Sequence, residues 1–437
     1  MIRSGGERLG RKSRVTSWHR LDNAANVFPL IAHQTFSNVF RVATELYEPI
    51  DAEILQHALD VTLPNFGNFN FRIRRGFFWY YFEPTNARLL VREETLRPCA
   101  YIDTKNRHHH LVRVVYYRNR IAVEVFHAIT DGTGALNFIK ALTENYLRLK
   151  KGETLPEAIP RLKIQSELED SYKKHYKKAL KNEKGALGEV SRALRLRGKL
   201  LPVNTMGVIH GTVSVDQLLT HSRLIGVTLT EFLVGTYVWA IYHTKQEEGL
   251  IKRPINIAVP VNLRKFFESN TNMNFFSHIN VTLDATKEPV SHEDVVAIVK
   301  KQFREKISKE QMLKNISKDV ALRNNPLTRA FPLVMKNIFV RLAYMKNVQA
   351  YTSTVSNIGK VEMPELFKED VKQFELLVNV SAIDPIKCGL CAYENRMVIT
   401  LTSQLESTEI QKNFFRKLVE QGLHVTIDTN GAYYEIL

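Results

Sequence analysis

The segment His127 to Gly132, HAITDG, places a histidine, a carboxylate and a glycine at a spacing that suits proton transfer. A neutral imidazole can take a proton from an alcohol, a thiol or an amine at physiological pH, because its ordinary pKa is about 6.5. His127 is therefore predicted to be a general base.

Asp131 lies four residues after the histidine, and we expect it to face away and to hold the turn by charge pairing. Gly132 and Gly134 permit a tight turn and let a substrate or another backbone approach closely. Two alternatives stay open. One is a structural histidine beside a turn aspartate, and the other is a metal site, for which His127 and Asp131 alone supply too few ligands.

The flanking residues predict that this motif joins a strand to a helix. The segment from Arg120 to Phe126 alternates as a strand does, and the apolar residues that follow recur at helical spacing: Leu136, Ile139, Leu142, Tyr146 and Leu149. Further along, Thr228 and Glu231 have the spacing of a capping box. The segment from Gly76 to Glu83 has strand composition.

The whole chain of 437 residues mixes such strands and helices on both sides of a basic segment. We predict an α/β fold with mixed sheets in two similar lobes, residues 1–172 with the HxxxDG motif and residues 201–437, joined by a linker at 173–200. This linker, Lys173 to Lys199, carries ten basic residues against Glu183 and Glu189, a net +8 of the chain's +16.

The charge of the linker has two interpretations, a solvated surface or a binding surface for an anion. Coenzyme A phosphates, an acidic carrier protein or an anionic membrane surface would suit it. Nucleic acid is not expected, because aromatic residues do not interleave with the basic ones and no recognition motif is present.

Cysteine usage and hydropathy bear on location. Cys99, Cys388 and Cys391 are odd in number and cannot form a disulfide framework, which favours a reducing compartment. The basic N-terminal segment is followed by no apolar run of a secretory signal, and no window is apolar enough for a membrane span. We expect a cytoplasmic protein.

Several segments resemble the chloramphenicol acetyltransferase-like superfamily, which includes condensation domains and plant BAHD acyltransferases, and the similarity is greatest to the bacterial alcohol acetyltransferase-like branch. The similar segments are EVFHAITDGTGAL, VPVNLRKFF at 259–267, STVSNIG at 353–359, WHRLDNAANVFP and RGFFWYYFE. Two departures are visible. Phe126 stands where many condensation domains have a first histidine, and the DFGWG motif of the BAHD branch is absent.

The resemblance implies two lobes around a central substrate tunnel with His127 at its middle. It implies transfer of an acyl group from acyl-coenzyme A or an acyl-carrier protein to an acceptor hydroxyl, with no further cofactor. Arg264 would pair with Asp131 to fix the turn. Ser356 and Asn357, expected at a strand end, are candidate donors to the developing oxyanion, although a Ser-Asn turn is equally often structural.

Two other functions fit the same fold. One is an N-acyltransferase or condensation-type enzyme with an amine acceptor. The other is a non-catalytic scaffold that binds a carrier protein through the linker, in which His127 would be only structural. The intact histidine, aspartate and glycines favour an enzyme.

Overall fold

A computed structural model describes residues 18–105, 110–153, 168–176, 192–286, 288–324 and 331–432. The helices are α1 (Phe28–Ile31), α2 (Ala52–Thr62), α3 (Gly132–Lys150), α4 (Ser171–His175), α5 (Val215–Leu224), α6 (Leu229–Glu247), α7 (His292–Lys306), α8 (Lys309–Asn324), α9 (Leu333–Asn347) and α10 (Glu409–Glu420). The strands are β1 (His19–Arg20), β2 (Val39–Leu46), β3 (Phe71–Arg75), β4 (Tyr80–Pro84), β5 (Val91–Glu93), β6 (Val112–Tyr117), β7 (Arg120–Phe126), β8 (Gly207–Ser214), β9 (Ile255–Asn262), β10 (Phe276–Leu283), β11 (Ser353–Val361), β12 (Val371–Leu377), β13 (Ile386–Tyr393), β14 (Arg396–Ser403) and β15 (Val425–Thr429).

Within the described residues, these strands form three sheets. A five-stranded sheet has the order β12-β2-β7-β6-β5, and a seven-stranded sheet has the order β10-β9-β11-β13-β14-β8-β15. Strand β11 runs parallel to both of its neighbours, whereas most other pairs are antiparallel. A small sheet contains β1, β4 and β3. The predicted α/β fold with mixed sheets is confirmed.

The strand β12 comes from the second half of the chain but pairs with β2, so that Phe374 lies opposite Thr44. The sheet that carries the HAITDG strand thus takes one edge strand from beyond residue 200. The seven-stranded sheet uses only strands that follow residue 206.

Local sequence signals set the ends of the elements that flank the motif. The β7 strand ends at Phe126 as predicted, and α3 follows with a buried face that includes Leu136, Ile139, Leu142 and Tyr146. The predicted capping box at Thr228 and Glu231 opens α6. The strand predicted from Gly76 begins only at Tyr80, because the Gly76 amide donates to the Trp79 carbonyl oxygen (2.9 Å) and closes a turn there.

The predicted linker is only partly described. Lys173 and Lys174 lie on α4, the chain resumes at Arg192, and residues 177–191 lie outside the described residues. Over the part of the chain that the structure describes, no single helix is long and apolar enough to cross a membrane. The helices α5 and α6, bent by 84° to each other, meet that length and composition test only as a pair.

Candidate active site

His127 lies at the end of β7, where the backbone leaves the five-stranded sheet, and its amide donates to the Asn38 carbonyl oxygen (2.9 Å). Three phenylalanine rings surround the half-buried imidazole. Phe28 stacks on it with 4.6 Å between ring centroids, and Phe40 and Phe276 lie at 4.8 and 5.5 Å. The imidazole of His127 therefore lies in largely apolar surroundings.

This environment lowers the pKa of His127 from its ordinary value of 6.5, chiefly because burial penalises the charged imidazolium. A hydrogen bond to its own backbone, the charge of Asp131 and a hydrogen bond with Asn274 oppose the shift, whereas the charge of Lys387 adds to it. The side chain is accordingly neutral at physiological pH, as a general base must be.

Asn274 determines which ring nitrogen of His127 carries the proton. Its Nδ2 donates to Asp22 Oδ2 (3.0 Å) and to the Ala128 carbonyl oxygen (3.3 Å), which fixes the orientation of the amide. Its Oδ1, which can only accept, lies 3.1 Å from His127 Nδ1. Nδ1 must therefore be the donor, and Nε2 keeps the lone pair that can take a proton.

Asp22 supports Asn274 from behind. Its carboxyl accepts from the Ala25 amide through Oδ1 (2.7 Å) and from both the backbone amide and the side chain of Asn274 through Oδ2 (3.2 and 3.0 Å). The side chain is 1% exposed, and this burial raises its pKa to about 7, with repulsion from Asp170 adding and the hydrogen bonds opposing. Asp22, Asn274 and His127 thus form one hydrogen-bonded chain.

Asp131 caps α3 and holds the turn. Its Oδ1 accepts from the amides of Thr133 and Gly134, both at 3.1 Å. Its Oδ2 accepts from Arg264 Nη1 (2.7 Å) and from the Phe275 amide (2.8 Å). The predicted pairing with Arg264 is confirmed, and these bonds direct the carboxylate to the turn and to the second half of the chain.

Arg264 is hydrogen-bonded to the loop that carries Asn274. Its guanidinium donates to the carbonyl oxygens of Thr271 (2.9 and 3.1 Å) and Met273 (2.6 Å) while it holds Asp131. Because Asn274 follows Met273 directly, the ion pair fixes the amide that orients His127. Arg264 is therefore connected to the imidazole of His127 through the loop of Thr271, Met273 and Asn274.

Gly134 allows this loop to approach, and Gly132 allows β11 to approach. A Cβ at Gly134 would overlap Thr130 Oγ1 and the Asn272 carbonyl oxygen, which are themselves hydrogen-bonded to each other at 2.6 Å. A Cβ at Gly132 would lie 2.8 Å from Ile358 Cγ2 on β11. Both positions are thus closed to larger residues by close packing.

Ser356 and Asn357 do not lie at a strand end, as the sequence suggested. They lie inside β11, which continues past an irregularity after Asn357 because the strand resumes pairing with β13 at Lys360. The Asn357 amide donates to Thr230 Oγ1 (3.0 Å), and its Oδ1 accepts from the Gly359 amide (2.8 Å). The side chain of Asn357 therefore links β11 to α6 by a hydrogen bond.

The residues that sequence reasoning missed are Asn274 and Asp22. Asn274 belongs to NTNMNFF, where alternate asparagines interrupt the approach to β10, and Asp22 lies in the similar segment WHRLDNAANVFP. The run of alternate asparagines just before a strand is the signal in the sequence that could have singled out Asn274. Among the described residues, no group of three or more His, Cys, Asp or Glu is placed to hold a metal ion.

A cleft rich in arginine opens where the described part of the linker resumes. Its volume is about 550 Å³, and its walls include Arg192, Arg195, Arg197 and Arg253. Arg195 is anchored to the carbonyl oxygens of Val348 (2.7 Å) and Tyr351 (2.8 Å), and the other three side chains are exposed. This arrangement suits an anionic group.

The cleft also borders the segment that carries Lys387. Ala382 and Ile383 line it, and the next residue, Asp384, pairs with Lys387 (3.0 Å), whose charge acts on the imidazole. An anion in the cleft would thus lie beside the segment from Ala382 to Lys387, and the charge of Lys387 acts on His127.

Neither a protein-family model nor a curated protein sequence matches the chain. Solved structures do. Trichothecene 15-O-acetyltransferase from Fusarium sporotrichioides is similar with a TM-score of 0.62 at 12% identity, over 92% of this chain and 94% of that one. The first condensation domain of the calcium-dependent antibiotic synthetase, with a substrate analogue, gives 0.62 at 15% identity, over 94% and 99%.

A further F. sporotrichioides protein, TRI101, solved with coenzyme A and T-2, gives a TM-score of 0.62 at 10% identity, over 94% of this chain and 100% of that one. These neighbours are two-lobed proteins of one architecture. The chain therefore has the chloramphenicol acetyltransferase-like fold that condensation domains and trichothecene acetyltransferases share, as its motifs indicated.

Proposed function

We propose that this protein transfers an acyl group from a thioester to an acceptor hydroxyl, with His127 as the general base. The observation that carries the proposal is the bond of 3.1 Å between His127 Nδ1 and Asn274 Oδ1, which leaves Nε2 as the basic nitrogen. The fold supports the same class of reaction, because its solved neighbours include acetyltransferases and condensation domains.

In the proposed reaction, His127 Nε2 takes the proton of the acceptor hydroxyl while the hydroxyl oxygen attacks the thioester carbonyl carbon. The carbonyl π electrons move to the oxygen and form a tetrahedral oxyanion. When the carbon–sulfur bond breaks, the thiolate takes the proton from the imidazolium, and the ester and free thiol leave. Neither a covalent enzyme intermediate nor a further cofactor is needed.

Asp131 and Arg264 take no proton in this mechanism. They hold the turn after β7 and the loop before β10 against each other, which keeps His127 and Asn274 within hydrogen-bond distance. Fixing a base in one orientation is a large part of its catalytic effect, since small displacements of reacting groups are costly.

The oxyanion needs a donor, and we assign that role to Ser356. It lies two residues before Ile358, which packs against Gly132 at the start of α3, whereas the amide of Asn357 is engaged by Thr230. Loss of an oxyanion donor typically reduces kcat by about 10²- to 10³-fold, so Ser356→Ala is expected to reduce kcat on that scale with an unchanged donor KM.

The donor is an acyl thioester that carries phosphate, either acyl-coenzyme A or an acyl-carrier protein. Supporting this, Arg192, Arg195, Arg197 and Arg253 line a cleft of about 550 Å³ beside the segment that carries Lys387, whose charge acts on His127. Bound coenzyme A in the neighbour TRI101 is consistent with the first of these donors. We place the donor phosphates in this cleft.

The decisive experiment measures thiol release from acetyl to palmitoyl thioesters, with coenzyme A or a carrier protein as the thiol, in the presence of pooled alcohols or pooled amines. Acceptor-dependent release with alcohols supports O-acyl transfer, and release only with amines would replace it by N-acyl transfer. No acceptor-dependent release from any donor, by protein that binds donor, would favour the scaffold alternative.

A further inference from the structure

The outward face of α9 is apolar. Val334, Met335, Ile338, Phe339, Leu342 and Met345 are between 42% and 59% exposed. Of the residues of this helix, Leu333 is the one that is buried. A surface helix of a globular protein ordinarily turns its apolar stripe to the core and its polar residues to water, whereas α9 leaves its apolar stripe exposed.

The tip of the β3–β4 hairpin extends this apolar face. Phe77 is 73% exposed and Phe78 is 41% exposed. The hairpin is tied to the helix, because the Leu333 amide donates to the Phe77 carbonyl oxygen (2.9 Å) and Lys336 Nζ lies 3.5 Å from the centre of the Trp79 ring. The helix and the hairpin tip, which we call the apolar face, therefore form one connected surface.

The charged residues of α9 and the one that precedes the hairpin tip are all basic. The helix α9 contains Lys336, Arg341 and Lys346 and has no acidic residue, and Arg75 is exposed just before the hairpin tip. Bulky apolar side chains beside Lys and Arg are typical of helices that lie in the interface of an anionic membrane. A protein partner would have to cover the same phenylalanines and supply carboxylates to match.

The apolar face also lies next to the candidate active site. The helix α9 packs against α1, whose Phe28 stacks on His127, and Tyr344 of α9 lies 5.6 Å from Phe36 between ring centroids. A lipid surface at α9 would thus be separated from the proposed base by one short helix.

We propose that the apolar face is a membrane-binding surface that inserts Phe77, Phe339 and their neighbours into the interface of an anionic bilayer. The protein then lies on the bilayer and does not span it. This goes beyond the acyl transfer proposed above, since binding depends on α9 and the hairpin tip and not on His127.

Flotation with lipid vesicles tests the proposal. The full chain is mixed with phosphatidylcholine vesicles that contain or lack phosphatidylserine, with no thioester or acceptor present. We expect flotation with the phosphatidylserine vesicles that weakens as salt rises, and a loss of roughly tenfold or more in binding for Phe339→Asp, because burial of one phenylalanine contributes at least that factor. Arg341→Glu with Lys346→Glu should abolish the preference for phosphatidylserine.

Leu224→Asp is the matched control, because Leu224 is an apolar residue that is 80% exposed on α5, outside the apolar face. His127→Ala should float as the unaltered protein does, which separates this test from that of the acyl transfer. Circular dichroism confirms that each variant is folded.

The proposal is wrong if the unaltered protein stays with the unbound fraction, or if Phe339→Asp floats equally well. It is also wrong if Phe339→Asp dissociates an oligomer of the unaltered protein, which would make this face a contact between copies.

Discussion

Asn274 Oδ1 lies 3.1 Å from His127 Nδ1, although the two residues are 147 positions apart in the chain. The base comes from the end of β7, and the amide that sets its tautomer comes from the loop before β10 in the other large sheet. The bond that leaves His127 Nε2 as the proposed proton acceptor therefore forms only when the two sheets are packed together.

Replacing His127 by alanine should reduce kcat by about 10²- to 10⁴-fold, the usual scale for a lost general base. The unfolding midpoint should change little, because the side chain is only half-buried. Steady-state kinetics and thermal unfolding check both points, and His57→Ala, at an exposed position of α2, is the control. Turnover that survives in His127→Ala would remove this residue from the mechanism.

Replacing Asn274 by alanine should reduce kcat by roughly 10- to 100-fold, because the imidazole loses its fixed orientation. Nitrogen-15 NMR of the histidine ring provides a readout that a merely structural residue would not change. We expect the Nδ1–H tautomer in the unaltered protein and a mixture of tautomers in the variant. Asn413→Ala, which removes an amide bonded to Thr244, is the control. An unchanged tautomer would refute the positioning role.

Asp131→Asn should lower the free energy of unfolding by about 3 to 5 kcal/mol, since it leaves the guanidinium of Arg264 without its buried partner. The side chains of this pair are 6% and 12% exposed. Chemical denaturation measures the effect, and a double variant with Arg264→Leu should recover part of it. The exposed pair of Arg88 and Asp60 is the control, and breaking it should change little. Equal effects at both pairs would contradict the buried coupling.

The acid limb of kcat/KM should lie below pH 6.5, because burial lowers the pKa of His127 and the neutral ring is the proposed active form. Lys387→Met should move that limb to higher pH, since it removes a positive charge that lowers this pKa, and the exposed Lys360→Met should not. For the same reason, His127 reduces stability as pH falls below 6.5, where the unfolded chain binds the proton more readily. A limb above pH 6.5 in the unaltered protein would count against this assignment.

Arg197→Glu with Arg253→Glu should raise the KM for the thioester donor severalfold, and more at low salt, without changing kcat. Both side chains line the arginine cleft. A second double variant, Lys173→Glu with Lys174→Glu, reverses the charge on α4, the other described part of the basic linker. Weaker binding of free coenzyme A would indicate direct phosphate contact, and a defect only with carrier-bound donors would indicate protein docking. If the cleft variants leave the donor KM unchanged at low salt, the phosphates bind elsewhere.

Much of the local structure followed from the sequence. The alternation before His127 predicted β7, the apolar spacing after it predicted α3, and Thr228 with Glu231 marked the start of α6. These features depend on neighbours a few residues apart, which is why periodicity and capping signals are sufficient to find them. The type and order of the motif residues also indicated the fold, which the solved neighbours share.

The sequence by itself therefore determined the candidate base, its strand–turn–helix setting and, through resemblance, the partnership of Asp131 with Arg264. Only the tertiary structure decided that Asp22 and Asn274 orient the imidazole, that β12 completes the sheet of β7, and that the apolar residues of α9 face outward. Each of these depends on contacts between residues far apart in the chain, and local pattern carries no information about which distant surface a side chain meets. Burial and hydrogen-bond partners, which set a pKa and a tautomer, come from that distant packing.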